Sequence, residues 1–543
     1  MDANVAERLS AGKYDEATLY GEAGTAWLGV ERSKALGLSY PQYLERCSTG
    51  ANNKVALVYR ERSYSYQELF STIHSTAENL RASYGIRHGD RVVINMENSD
   101  RYVLVYLAVL RAGGIAVPIN PKFTAREIEF VLSDARPVLY CCDQAGYGLA
   151  ATAAASIGIR TKIGLAEEAC VLSPSRQPLP KVAPADAGAI FYTSGTTGNP
   201  KGVIHTHETL IAGALQSARA WSYDKEGWTT LATTPLFHIA AHAWFLPVLA
   251  NKGTLVVDTF KTERIFELIE RYKIDALGAV PSMLLMMTRF EGRHQYDLRS
   301  VKNVRFGASP MPPDKLRTVQ DLFPNAALLH GMGQTESGGT ISVLPGHLAF
   351  EKAGGTGFPL PGCAVRVVDE EGRTVPDGTA GEILARGPNV MVGYFNRPEE
   401  TAKTLAGGWL HTGDIGYVDA DGCIYLVDRK KDMIIRGGEN IYSVEIENVL
   451  MTHPAIVACA VIGVPDDLLG ELVCAVVVTA EGAGRELEPA LLTLCRQQLA
   501  HFKVPAIFEF VTDLPRTATG KTQKGILRQE LLARRAAPAA QIV

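Results

Sequence analysis

Between residues 54 and 310 the apolar pattern switches period again and again, and this switching constrains the fold more than any one motif. "KVALVYRERSYSY" alternates like a hairpin, and "YQELFSTIHSTAENLRASYG" has helical spacing that stops at Gly85. "DRVVINME" reads as a buried strand, and "SDRYVLVYLAVLRAGGIAVPIN" as a helix, a double-glycine break and another strand. Strand–helix alternation returns at 134–165, 186–235 and 253–310. Apolar faces must be buried against one another, so the series predicts an α/β fold of layered subdomains with parallel sheets. Neither a fixed-period repeat nor a low-complexity tract interrupts it, and the alternation would also suit two similar α/β halves.

The texture changes after about residue 355. "GFPLPGCAVRVVDEEGRTVPDGTAGEILARGP" is rich in Gly, Pro and short strand patterns, with tight turns at "DEEG" and "PDG". It predicts a small β-rich unit. The charged "DRKKD" at 428–432 marks a domain boundary. Beyond it the pattern predicts a small α+β domain. Its elements are a helix from about 444, strands at 455–464 and 471–479, a helix at 488–500, a strand at 506–512 and a last helix from about 523. The tail "RRAAPAAQIV" is expected to fray.

A length of 543 residues is about three to four domains' worth of chain, enough to bury a large core. The formal net charge of -4 argues against a nucleic-acid or membrane-surface protein, which would show basic excess. The nine cysteines follow no metal-like or redox-like spacing; Cys141 and Cys142 are adjacent and no C-x-x-C occurs. They read as core residues in a reducing, cytoplasmic compartment. The N-terminus has early acids and no apolar segment, unlike a signal peptide, and the longest apolar stretch, "AIVACAVIGV" (455–464), is about half a membrane span.

The chemistry concentrates first in "YTSGTTGNPKG" (192–202), which follows the apolar strand pattern "GAIFYT". Thr193, Ser194, Thr196 and Thr197 offer hydroxyls, and Gly195, Gly198 and Gly202 let backbone approach a ligand. Lys201 adds a point charge suited to phosphate. Asn199 and Pro200 separate the second glycine from Lys201, so this is not a Walker A loop. The "GKT" at 520–522 is not one either, because Pro515 stands where that motif needs glycine. Further motifs follow in order: "TPLFH" (234–238), "HGMGQTE" (330–336), "GEILARGPNVMVGYFNRPEET" (381–401), "GGWLHTGDIGYVDADG" (407–422), "DRKKDMIIRGGENIYSVEIE" (428–447) and "LPRTATGKTQK" (514–524). Together they resemble the adenylate-forming superfamily of acyl-CoA synthetases, luciferases and nonribosomal peptide synthetase adenylation domains, across roughly residues 50–530.

The resemblance implies two half-reactions. A carboxylate attacks the α-phosphorus of ATP to give an acyl-adenylate and pyrophosphate, and a thiol then displaces AMP. It implies an N-terminal AMP-binding domain over 1–428, a hinge at 429–431 and a mobile C-terminal domain over 432–543. It places Thr193, Ser194, Gly195, Thr196, Thr197 and Lys201 around the outer phosphates, and Thr335 on the α-phosphate. Glu336 is implied as a Mg²⁺ ligand, with Ala308, Gly331 and Met332 around the nucleotide and Asp414 beside Arg429 at the ribose. Lys521 is implied as the adenylation lysine, bridging carboxylate and phosphate as charge develops, and Lys431 as the pivot. Arg436, Gly437 and Gly438 would line the path of CoA, and His238 would stand between acyl pocket and thiol entrance. Met332 departs from the family, which usually has an aromatic residue there to stack on adenine; a thioether can cover a ring too.

The acyl pocket is implied at His238, Ala241, His242, Gly307, Ser309, Gly333 and Gly338. No aspartate follows Phe237 to pair a substrate ammonium, so amino acids are unfavourable. The candidate segments hold no arginine for a second carboxylate, which disfavours dicarboxylates, and their small residues leave room for an aryl or medium- to long-chain acyl group. The expected enzyme is therefore a carboxylate–CoA ligase using ATP, Mg²⁺ and CoA, in aromatic or fatty acid metabolism. It is expected to have no nucleic-acid partner and no integral membrane segment, with a homodimer left open. The rival readings are a stand-alone enzyme that loads a carrier-protein phosphopantetheine arm, and a catalytically silent nucleotide binder.

Overall fold

The computed structural model describes residues 37–170, 178–193, 200–222, 226–307, 311–437, 439–480, 483–516 and 522–536. The chain divides into two compact units. The first takes in the chain up to Arg366 with Leu384–Thr412 and Asp419–Ile424; the second comprises Val367–Ile383, Gly413–Val418 and the chain from Tyr425 onward.

Two large sheets build the first unit. One has seven strands, in the order Gly393–Tyr394, Lys201–Thr206, Ala187–Thr193, Ile115–Pro118, Arg91–Asn95, Leu139–Cys142 and Lys162–Leu165. The other has nine, in the order Phe358–Pro359, Ser342–Leu344, Ala327–Met332, Asn303–Gly307, Ala276–Ala279, Thr229–Ala232, Thr254–Val257, Val55–Tyr59 and Arg62–Ser65. Both are parallel through their middles, as the strand–helix alternation predicts. The nine-stranded sheet is antiparallel at both edges and the seven-stranded sheet at the edge formed by Lys201–Thr206 and Gly393–Tyr394, while Lys162–Leu165 pairs parallel at its other edge.

The strand residues explain the layering. Successive side chains point to opposite faces. Leu57, Ala232, Leu255 and Val257 join one apolar cluster, and their neighbours Val58, Leu231 and Val256 join another. In the seven-stranded sheet Val92 and Ile94 join the first cluster while Val93 and Val117 join a third. The first cluster therefore touches both sheets, and it contains the helices Tyr66–Ala82, Asp100–Arg111 and His207–Ala220. His207–Ala220 is buried at every position except Glu208 in its first turn, as a helix covered on nearly all sides must be. The other clusters set helices on the sheets' outer faces, giving five layers. Local chemistry sets the ends: Ser65 caps the helix Tyr66–Ala82 by accepting from Glu68 N at 3.2 Å, and Glu68 Oε2 accepts from Ser65 N at 2.8 Å.

The region after residue 360 contains a four-stranded sheet, in the order Ala364–Val368, Gly381–Arg386, Leu410–Val418 and Ile424–Arg429. The second unit centres on the long antiparallel strands Ile456–Asp466 and Gly470–Thr479, with Ile507–Phe510 parallel to the latter. Helices Ser443–Leu450 and Glu488–Gln498 share a core with Val461, Val473 and Val477. Helix Lys524–Ala536 packs Leu527 and Leu531 against Ala460, Ile462, Cys474 and Val476 on the opposite face. All nine cysteines are free and seven are buried. Burial raises the thiol of Cys142 to about 12, so it is protonated and unreactive. Among the described residues no helix is long and apolar enough to cross a membrane.

Candidate active site

The strand Ala187–Thr193 and the strand Lys201–Thr206 pair antiparallel, with Thr193 opposite Lys201. These two residues are the feet of the hydroxyl- and glycine-rich loop; Ser194, Gly195, Thr196 and Thr197 lie outside the described residues. Lys201 forms an ion pair with Glu400, and its ammonium lies over the Tyr394 ring, 5.2 Å from the centroid. Tyr394 in turn donates its hydroxyl to Glu336 Oε1 at 2.8 Å. Burial, and then the nearby Glu336 charge, push the phenol well above its ordinary range, so it remains a donor. One tyrosine thus joins the lysine of the loop to the carboxylate implied as a metal ligand.

The turn that carries Glu336 is held from several sides. Thr335–Ser337 forms a single 3₁₀ turn after the strand Ala327–Met332. His205, fully buried on the neighbouring sheet, places Nε2 2.8 Å from the Thr335 carbonyl and Nδ1 3.1 Å from Thr209 Oγ1. Burial lowers this imidazole to about 4, so it is neutral at pH 7. A carbonyl only accepts, so Nε2 carries the proton. Met391 N donates to the Glu336 carbonyl at 2.8 Å, and Asn389 Nδ2 donates to the carbonyls of Ser337 and Thr340 at 2.7 and 3.1 Å.

The glycines near this turn answer to backbone geometry. A Cβ on Gly333 would lie 2.2 Å from the Gly339 carbonyl oxygen and 2.6 Å from Thr340 Cα. Gly338 has φ +67°, and a Cβ there would sit 2.7 Å from the Asn389 carbonyl oxygen. Gly307 pairs with Gly331 in the parallel register of adjacent strands. Met332 is buried, and its sulfur faces Thr356 Oγ1 at 3.8 Å.

Of the other implied pocket residues, His238 is half-buried at the start of a short 3₁₀ turn, and burial lowers its proton affinity. Ala241 is fully buried. His242 is buried edge-on against Tyr106 and Phe191, with ring centroids 4.8 and 5.0 Å away, and burial takes it down to about 3. It is a neutral core imidazole near the sheet. Ala308 and Ser309 lie outside the described residues.

Within the second unit, Arg429 Nε meets Asp414 Oδ1 at 2.7 Å, with Asp414 almost fully buried. Lys431 is exposed in the turn that follows. Arg436 donates to the Phe502 carbonyl at 2.7 Å, and Gly437, at φ +60°, donates to the Leu469 carbonyl at 2.7 Å. Gly438 and Lys521 lie outside the described residues. His205, Asn389 and Tyr394 carry no role in the motif reading; Asn389 and Tyr394 stand inside the quoted "GPNVMVGYFN", so a signal for them was present.

The chemistry of these residues fits Mg²⁺–ATP. Tyr394 engages only one Glu336 oxygen, and among the described residues no cluster of three or more His, Cys, Asp or Glu side chains could form an all-protein metal cage. One carboxylate suffices for Mg²⁺ when phosphates and waters supply its other ligands.

The family described as AMP-binding enzyme matches residues 44–395, and AMP-binding enzyme C-terminal domain matches residues 445–521. The chain is 36% identical over 501 residues to a feruloyl-CoA synthase of Amycolatopsis sp, covering 92% of this chain and 99% of that protein. It is 36% identical over 495 residues to the fatty acid–[acyl-carrier-protein] ligase ScoC of Streptomyces coeruleorubidus, covering 88% and 92%. The structure superposes on o-succinylbenzoate coenzyme A synthetase from Bacillus subtilis, in complex with ATP and magnesium ion, with a TM-score of 0.80. That match has 29% identity and covers 91% of this chain and 99% of that one. With the ordered motifs and the layered fold, these likenesses show that the chain belongs to the AMP-binding enzyme family, in its adenylate-forming acyl- and aryl-CoA ligase branch.

Proposed function

We propose that this protein is an AMP-forming carboxylate–CoA ligase for an aryl or medium- to long-chain acid, dependent on ATP and Mg²⁺. The observation that carries the reading is the Lys201–Tyr394–Glu336 chain, which sets a phosphate-binding cation and a metal-binding carboxylate on one rigid side chain. Adenylation brings a carboxylate up to a polyphosphate, so the site must neutralise charge and align the attack. Thr193, Ser194, Gly195, Thr196, Thr197 and Lys201 hold the outer phosphates, and Thr335 holds the α-phosphate. Glu336 would hold Mg²⁺, whose charge would offset that of the phosphates. Asp414 and Arg429 serve the ribose, and Lys521 stabilises the forming acyl-phosphate oxygen.

In this reading Lys431 is the pivot between the half-reactions, at the boundary of a 1–428 domain and a 432–543 domain. Arg436, Gly437 and Gly438 flank the pantetheine, and the neutral imidazole of His238 gates the thiol's approach. The acid lies among Ala241, Gly307, Ser309, Gly333 and Gly338, with His242 behind them. Support for an aryl or fatty acid comes from the relatives: one is named for feruloyl-CoA, another for a fatty acid.

The test is pyrophosphate release from Mg²⁺–ATP across aryl, medium-chain, long-chain and dicarboxylic acids, with and without CoA, with thioester identified by mass. CoA thioester from an aryl or aliphatic monocarboxylic acid is the expected result. Pyrophosphate without thioester would transfer the reading to a carrier-protein acceptor, and silence across the panel would overturn it.

A further inference from the structure

The second unit buries a charged network that the reaction described above does not use. Lys524 is the first residue of the last helix, where the helix dipole disfavours a cation. Its ammonium nevertheless lies almost buried, 2.7 Å from Glu447 Oε1 and 2.5 Å from Ser443 Oγ. Ser443, fully buried, donates its hydroxyl to Asp428 Oδ2 at 2.7 Å and its backbone N–H to the same oxygen. Asp428 Oδ1 accepts from Arg429 N at 2.7 Å, and Glu447 Oε1 accepts from Val461 N at 2.8 Å. Burial opposes the Lys524 charge, but the two carboxylates beside it outweigh that and hold its ammonium above the ordinary range.

Such a network is a poor device for stability alone, because apolar side chains of similar volume would serve as well or better. Its value is positional, since every member fixes the next. One end is Asp428, the residue before Arg429–Lys431. The other end is the stem that closes the segment holding Lys521: Arg516 bridges antiparallel to Thr522, and Gln523 N donates to the Pro515 carbonyl at 2.8 Å. Lys524 follows directly.

We propose that Lys524 is a positioning residue for adenylation: with Glu447 and Ser443 it fixes the Arg516–Thr522 stem to the helix Ser443–Leu450, within the domain that follows the pivot. The Lys524–Glu447 tie then turns with that domain, whereas the Ser443–Asp428 bonds cross the pivot and hold only one orientation about it. This rests on the roles given to Lys431 and Lys521 above.

The experiment compares Lys524→Met, Lys524→Arg, the double variant Lys524→Met/Glu447→Leu and Lys521→Ala in the full-length protein. Pyrophosphate release reports adenylation, thioester formation from supplied acyl-adenylate and CoA reports the second half-reaction, and thermal melts report folding. A misplacement of the order of 1 Å lowers adenylation by about 100-fold in Lys524→Met. The second half-reaction should change by less than about threefold, and so should KM for ATP and acid. Lys524→Arg should restore adenylation. The double variant removes the Glu447 carboxylate together with the ammonium, and Asp428 keeps its hydrogen bonds from Ser443 and Arg429 N, so it should melt closer to wild type than Lys524→Met does and still adenylate poorly. A double variant that folds and adenylates like wild type overturns the inference, as does an equal loss in both half-reactions. Lys521→Ala separates the two readings. If it adenylates normally, the Lys521 assignment fails and this inference with it. If it loses adenylation while the double variant keeps it, the assignment stands and only the network's role falls.

Discussion

Tyr394→Phe removes one oxygen and tests how the site holds its metal ligand. In the wild type the Tyr394 hydroxyl fixes Glu336 Oε1 at 2.8 Å, while the ring supports Lys201 at 5.2 Å. Phenylalanine keeps the ring and its cation contact and deletes only the donor. Freed of that bond, the Glu336 side chain must be immobilised by the cation instead. Ordering such a side chain costs about 0.5–1.5 kcal/mol, so the Mg²⁺ concentration for half-maximal pyrophosphate release should rise by about 2- to 12-fold. A hydrogen bond to a charged acceptor contributes about 1.5–3 kcal/mol to folding, so the melting midpoint should also fall. The assay is pyrophosphate release at saturating acid over a Mg²⁺ titration, with a parallel acid titration at saturating Mg²⁺. The KM for the acid should not move, because Tyr394 is placed at the metal ligand. An unchanged Mg²⁺ dependence, or an effect confined to the acid KM, would refute the coupling of Tyr394 to Glu336.

Other perturbations have equally definite outcomes. His205 is buried neutral at about 4, against about 6.5 unfolded, so its contribution is complete above pH 6.5 and is lost as pH falls and the unfolded chain takes up the proton. About 3 kcal/mol should be lost between pH 6.5 and 4 from this group. His205→Gln keeps a donor for the Thr335 carbonyl, so urea midpoints should show a pH dependence flatter by about 1.4 kcal/mol per pH unit. Gly333→Ala forces backbone apart where a Cβ would lie 2.2 Å from the Gly339 oxygen. It should cost about 1–3 kcal/mol in melts, and depress adenylation by moving the Thr335–Glu336 turn. Lys431→Pro restricts the backbone at the proposed pivot. Pyrophosphate release should persist while thioester formation collapses, and equal retention of both would remove Lys431 from that role.

The sequence by itself determined the elements and the family. Period-2 and helical spacing located the strands and helices because side-chain direction is a local property of the backbone, and "AIVACAVIGV" is indeed one of the two central strands of the second unit. The motifs singled out Thr193, Lys201, Thr335, Glu336, Asp414 and Arg429 as the proposed site residues, because ligand chemistry restricts residue type at short spacing. Some elements of the reading needed the fold. Three of the four sheet edges turned antiparallel. Met332 proved to be packed against Thr356, and His242 proved to be a core imidazole.

The tertiary structure alone decided the partners. His205 meets Thr335 across 130 residues of chain, Tyr394 meets Glu336 across 58, and Lys524 meets Ser443 across 81. No local pattern encodes such pairs. Each depends on which strands become neighbours and on how far burial removes water from the groups involved. Gly333 and Gly338 show the same division. Their presence is written in the chain, but their necessity comes from backbone brought close by the fold: Gly339 and Thr340 of the same turn against Gly333, and the distant Asn389 against Gly338.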